Sequence, residues 1–200
     1  SNQTLAAVAV AMLFFAYLRP GELWRARVQD LQPPVSKTHV LHKAWALIVS
    51  PQERPLEPSK TREFDDTIRF DFPDWWGSVF DQLVLTKHHF DLLIPIAHED
   101  FMKAWSHACA TLELPSNTFP YQLRHGGASH DALSRHRSML EIQGRGRWKA
   151  QTSLKRYCKP GQVQKMLNDL SGPVKKYCEE AYKNLGGILT KRVRARAPPM

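Results

Sequence analysis

The chain has 200 residues, of which 42% are apolar, enough for a real core in one ordinary domain or two small ones. Three scattered cysteines, Cys109, Cys158 and Cys178, exclude a disulfide framework and suit a reducing compartment. The longest apolar run, Leu5–Leu18, falls short of the roughly 18–20 residues that span a bilayer and lacks the flanks of a signal peptide.

The net charge of +9 is unevenly distributed. Residues 1–120 hold 11 basic and 14 acidic residues, 121–160 hold nine and two (Asp131 and Glu141), and 161–200 hold eight and three. An excess gathered on one part of the chain is the electrostatic footprint of a polyanion binder.

In chain order, Gln3–Tyr17 is rich in Ala, Leu, Met and Phe and predicts a buried helix. Arg19-Pro20-Gly21-Glu22 interrupts it, with Pro20 suited to open the next helical turn. Leu23, Trp24, Ala26, Val28 and Leu31 suggest a short helix leading toward a strand. Thr38–Ser50 is β-prone, a Pro-rich connector PQERPLEPSK follows, and Thr67–Phe70 resumes the strand pattern. Together these predict a small antiparallel sheet with Lys60 near one of its turns.

Asp74–Leu85 has helical spacing, and His98–Leu112 predicts a helix with Phe101, Trp105, Ala108 and Leu112 on one face. His88-His89 reads as a solvated turn. Short helices separated by Gly or Pro are expected at about 121–134, 137–144, 150–157 and 161–170, with a last one over 173–185 ending at Gly186-Gly187. The tail from Lys191 is basic and reads as disordered; its KRVRAR stretch suits a nuclear-import signal or a plain tail. The fold class expected is mainly α with a small antiparallel sheet (α+β). The chain starts inside a helix without an initiator Met, so an N-terminal partner region is expected to be missing.

The stretch 120–160, PYQLRHGGASHDALSRHRSMLEIQGRGRWKAQTSLKRYCKP, concentrates the chemistry-bearing residues. Arg19 sits at a helix break with Glu22 three residues on, Arg124 lies in YQLRH, and Tyr157 follows Trp148 by nine residues. In order, R19-P-G-E22-L23, S-K60-T, Y121-Q-L-R124, W148 and Y157 resemble the catalytic domain of the tyrosine recombinases, the phage integrase family. RHGGAS and GRGRW are nearest in flavour to its eukaryotic, mobile-element-derived members. The resemblance runs from about residue 5 to 170. Each motif alone is weak; five in order at sensible separations are strong. One departure is Tyr121, where the family has a histidine: a phenol donates a hydrogen bond but carries no positive charge near pH 7.

The resemblance implies metal-free cleavage and rejoining of duplex DNA through a 3′-phosphotyrosyl bond. Arg19 and Arg124 would bind the phosphate oxygens bidentately. Tyr157 would be the nucleophile, Lys60 the general acid, Trp148 an indole N–H donor, and Glu22 a buttress, with Tyr121 and His125 beside the phosphate. It further implies a catalytic domain over 1–171, a C-terminal helix over 172–188 for packing on a neighbouring subunit of a tetramer, and a tail over 189–200. No cofactor, membrane or small-molecule substrate is expected, and the location is nuclear if the source is eukaryotic.

Arg145, Arg147, Lys149, Lys155 and Arg156 are candidates for DNA-backbone contacts. Bland readings stand beside these: Tyr157 as a half-buried helix tyrosine, Trp148 as core, Arg19 as a cap, and Lys37, Lys43 or Arg62 in place of Lys60. His125, His130 and His136 lack the Cys or carboxylate partners of a zinc site. Gly126-Gly127 has no GK[ST] after it and suits close helix packing or approach of DNA better than a P-loop. Two rival functions remain: a DNA-binding descendant whose catalysis has decayed, and a type IB topoisomerase-like enzyme.

Overall fold

A computed structural model describes residues 2–35, 43–52, 54, 65–150, 152, 154–155 and 158–191. It is mainly helical with one three-stranded antiparallel sheet, the α+β class expected. Lys60 and Arg62, Lys37, Arg156, Tyr157 and the tail after Lys191 lie outside the described residues.

The chain divides into two compact units, Pro20–Pro95 and a second made of Ser1–Arg19 with Ile96–Met200. In the first, α2 (Pro20–Arg25) opens on its proline as expected, and a 3-10 turn over Val28–Asp30 leads into β1 (Leu31–Gln32). β2 (Trp45–Val49) pairs with β1 through Leu31↔Leu47, and with β3 (Asp66–Phe70) through Trp45↔Phe70 and Leu47↔Ile68. Strand periodicity puts Trp45, Leu47 and Val49 on one buried face with Ile68 and Phe70. α3 (Trp76–Val84) buries Trp76, Val79 and Phe80. Phe70 meets Trp76 and Phe80 edge-on at 4.8 and 4.7 Å, so aromatic packing forms this core. Buried Asp30 accepts from the Arg27 N–H at 2.8 Å and from Arg54 at 2.5 Å, which compensates its charge.

In the second unit, α1 (Asn2–Phe15) has Ala6, Val8, Ala9, Ala11, Met12, Leu13 and Phe15 buried. A helix apolar on nearly every side needs cover on every side. It is surrounded by α4 (His98–Thr111), α5 (Gln122–Ser134) and the short α9 (Leu185–Leu189). α6 (Met139–Arg145) begins at a capping box in which Ser138 and Glu141 satisfy each other's backbone N–H groups. α7 (Pro160–Asp169) packs on α5, and α8 (Gly172–Lys183) precedes α9.

Two expectations are corrected. Gly186-Gly187 does not end the last helix; both glycines lie inside α9, after a break at Asn184. On α4 only Phe101 of the expected face is buried: Ala108 is exposed, and Trp105 is half-buried, with its indole N–H donating to the Thr118 carbonyl at 3.1 Å. Among the described residues no helix is long and apolar enough to cross a membrane.

Candidate functional site

α5 runs so close to α1 that a side chain at Gly127 would collide with the Phe14 carbonyl and lie 3.0 Å from the Tyr17 ring. Close helix packing is thus what Gly127 provides. This approach carries Arg124, one turn earlier on α5, into the interior, where it has 0% exposure. Its two terminal nitrogens donate to the main-chain carbonyls of Tyr17 and Gly146. Its guanidinium carbon lies 5.1 Å from the centre of the Trp148 ring, a cation–π distance.

Trp148 is 7% exposed and lies against Gly146, where any side chain would overlap the indole. Tyr17 stacks on its ring at 6.3 Å, and Ala128, Ile142, Leu154 and Cys158 complete the same buried cluster. Two contacts tie the chain after position 157 to α5: the Cys158 thiol to the Ala128 carbonyl at 3.6 Å, and the Lys159 N–H to Ser129 Oγ at 2.8 Å. The structure therefore brings Arg124 and Trp148 together, with described residues on both sides of position 157 in the same cluster.

The other expected residues are placed differently. Arg19 is half-buried, two residues after Tyr17 and in the same unit as Arg124. Glu22 is half-buried on α2 in the other unit. Tyr121 is 40% exposed at the start of α5, edge-on to His125 at 5.1 Å. Burial, and then the Arg124 cation, hold the His125 imidazole below its ordinary range, so it is neutral near pH 7.

Arg145 and Arg147, expected on the DNA backbone, turn toward the protein instead. Arg145 donates to the Phe15 carbonyl at 2.9 Å and lies 5.7 Å from the Tyr17 ring; Arg147 is 9% exposed and donates to the Arg145 carbonyl at 3.3 Å. Lys149 and Lys155 are exposed.

Sequence reasoning missed Tyr17 and Asp131. Tyr17 is fully buried, and its hydroxyl donates to Asp131 at 2.5 Å. Burial and then the Asp131 carboxylate push the Tyr17 phenol far above its ordinary range. Burial alone would raise Asp131, but hydrogen bonds from His130 and Tyr17 and the cations Arg137 and Arg145 outweigh it and hold the carboxyl below its ordinary range. The signal was present: Asp131 is one of two acids in an otherwise cationic stretch, and Tyr17 carries the one hydroxyl in the apolar run Leu5–Leu18. Among the described residues no group of three or more His, Cys, Asp or Glu could hold a metal ion. No family model, curated protein or solved structure matches the chain.

Proposed function

We propose that this chain cuts and rejoins duplex DNA as the catalytic domain of a tyrosine recombinase. The observation that carries the reading is the meeting of Arg124 and Trp148, 24 residues apart, at 5.1 Å, in the cluster that also holds Leu154 and Cys158, which flank Tyr157 in the sequence. These are the members of the ordered motif set whose chemistry needs them together. In this reading the Tyr157 hydroxyl gives up its proton to solvent as its oxygen attacks phosphorus, a 3′-phosphotyrosyl bond forms, the bond to the 5′ oxygen breaks, and Lys60 gives that leaving oxygen a proton. Arg19 and Arg124 stabilise the charge on the remaining oxygens, and Trp148 donates its indole N–H there. Reversal by another 5′ hydroxyl reseals the strand with no external energy source. A tetramer on paired duplexes, and a nuclear location in a eukaryotic source, belong to the same proposal.

A second reading, DNA binding without cleavage, is favoured by Arg124 itself. With 0% exposure, it must be uncovered before any of its remaining N–H groups can reach a phosphate oxygen. Tyr121 in the histidine position points the same way.

Covalent trapping separates these readings. Labelled, nicked duplexes are incubated with protein in EDTA, denatured in SDS and examined for protein-linked DNA, with Tyr157→Phe as control. An adduct lost in the variant supports the recombinase. Salt-dependent binding without an adduct in the wild type or in Tyr121→His supports the decayed binder. Relaxation of supercoils by a monomer without a defined site supports the topoisomerase-like alternative.

A further inference from the structure

Tyr17 combines three features that neither the motif set nor the proposed reaction uses. It is a non-glycine residue in the left-handed region, with φ of 50°, two residues past the end of α1. Such a conformation is strained for an aromatic residue and persists only where the surroundings over-determine it. Here they do. The ring is stacked on Trp148, and the hydroxyl is bonded to Asp131 at 2.5 Å. Asp131 in turn accepts from Arg137 Nε at 3.1 Å, and His130 Nδ1 lies 3.5 Å from its other oxygen. The strained backbone aims the Tyr17 carbonyl at Arg124, where it accepts from Nη1.

We infer that the Tyr17–Asp131 pair is a positioning device. By pinning the far end of the Tyr17 side chain, Asp131 holds the left-handed turn that directs the Tyr17 carbonyl onto the Arg124 guanidinium and sends the chain on to Arg19. Tyr17 and Asp131 are positioning residues, since both act through the two arginines. The inference rests on the recombinase reading only for its consequence in catalysis; the hold on Arg124 is a property of the protein without DNA. The charge states fit this role, since Tyr17 stays a protonated donor and Asp131 an ionised acceptor across the neutral range. The groups facing Asp131 are Tyr17, His130, Arg137, Arg145 and Tyr182.

Arg124 supplies its own internal reference, because Nη1 binds the Tyr17 carbonyl and Nη2 the Gly146 carbonyl. The test is side-chain NMR of Arg124 in the full chain, assigned with Arg124→Lys. In the wild type both sets of Nη protons exchange slowly. In Tyr17→Phe, which removes only the hydroxyl, the Nη1 protons exchange about tenfold faster while the Nη2 protons stay protected, the size expected for one lost net hydrogen bond. Asp131→Asn, which keeps an acceptor oxygen, gives a smaller change in the same direction and serves if Tyr17→Phe does not fold. Free-guanidinium exchange in the wild type, equal changes at Nη1 and Nη2, or no change in a folded variant would each overturn the inference. An adduct-forming wild type whose Arg124 ignores Tyr17→Phe removes the inference and leaves the recombinase. A wild type that forms no adduct but shows the split response removes the recombinase and leaves the device.

Discussion

Replacing Gly127 by alanine tests the packing that brings Arg124 inside. The added carbon would sit well inside the roughly 3.3 Å that a carbon keeps from a carbonyl oxygen, and 3.0 Å from the Phe14 carbonyl carbon and Tyr17 Cδ1. The obstacle is backbone, so no side-chain rotation relieves it, and α1 and α5 must part by roughly an ångström or more. Overpacking of this kind costs about 1–3 kcal/mol, and a backbone obstacle puts it near the upper end. Alanine's better helix propensity returns about 1 kcal/mol. The net loss is about 2 kcal/mol, or a fall in melting temperature of about 4–8 °C for a chain of this size. The assay is thermal and urea unfolding followed by circular dichroism, with Gly144→Ala as the control. A Cβ at Gly144 meets nothing within 4 Å, so that variant should match or exceed the wild type. If Gly127→Ala is as stable as Gly144→Ala, the close approach of α5 to α1 is wrong, and with it the burial of Arg124.

Gly146→Ala should expel Trp148 from its seat, because the new carbon overlaps the indole; a red-shifted tryptophan emission reports it, and an unchanged spectrum argues against the contact. Stability should fall at both ends of the pH scale. Asp131, depressed in the fold, contributes stability that is present above its unfolded pKa of about 3.9 and lost as pH falls through the folded value. Tyr17, raised in the fold, costs stability once pH exceeds about 10, because the unfolded phenol releases its proton first. Asp131→Asn should flatten the acid limb of urea titrations and Tyr17→Phe the alkaline limb; unchanged limbs refute the pairing. If the chain binds DNA through its exposed cations, Lys149→Ala and Lys155→Ala should each reduce the slope of log affinity against log salt by about 0.9. Arg147→Gln, which removes a charge at a largely buried position, should leave that slope nearly unchanged in a folded variant.

Much of this protein is legible in its sequence, where local chemistry decides. The all-round apolar run of α1, the proline that opens α2, the alternation in β2 and β3 and the Ser138–Glu141 capping box each declare their element through contacts a few residues long. The sequence also singled out Arg124 and Trp148, which the fold brings within 5.1 Å of each other. It could not say which cations face water. Arg145, Arg147 and Lys149 lie within five residues of one another, yet the arginines turn to carbonyls and a tyrosine ring while the lysine is exposed. Tertiary structure alone decided that, because the Phe15, Tyr17 and Gly146 carbonyls that accept from Arg145 and Arg124 come from segments distant in the chain or beyond a turn. The same holds for Tyr17 and Asp131, 114 residues apart: a buried hydroxyl needs an acceptor, and only the packing of α5 on α1 selects which one.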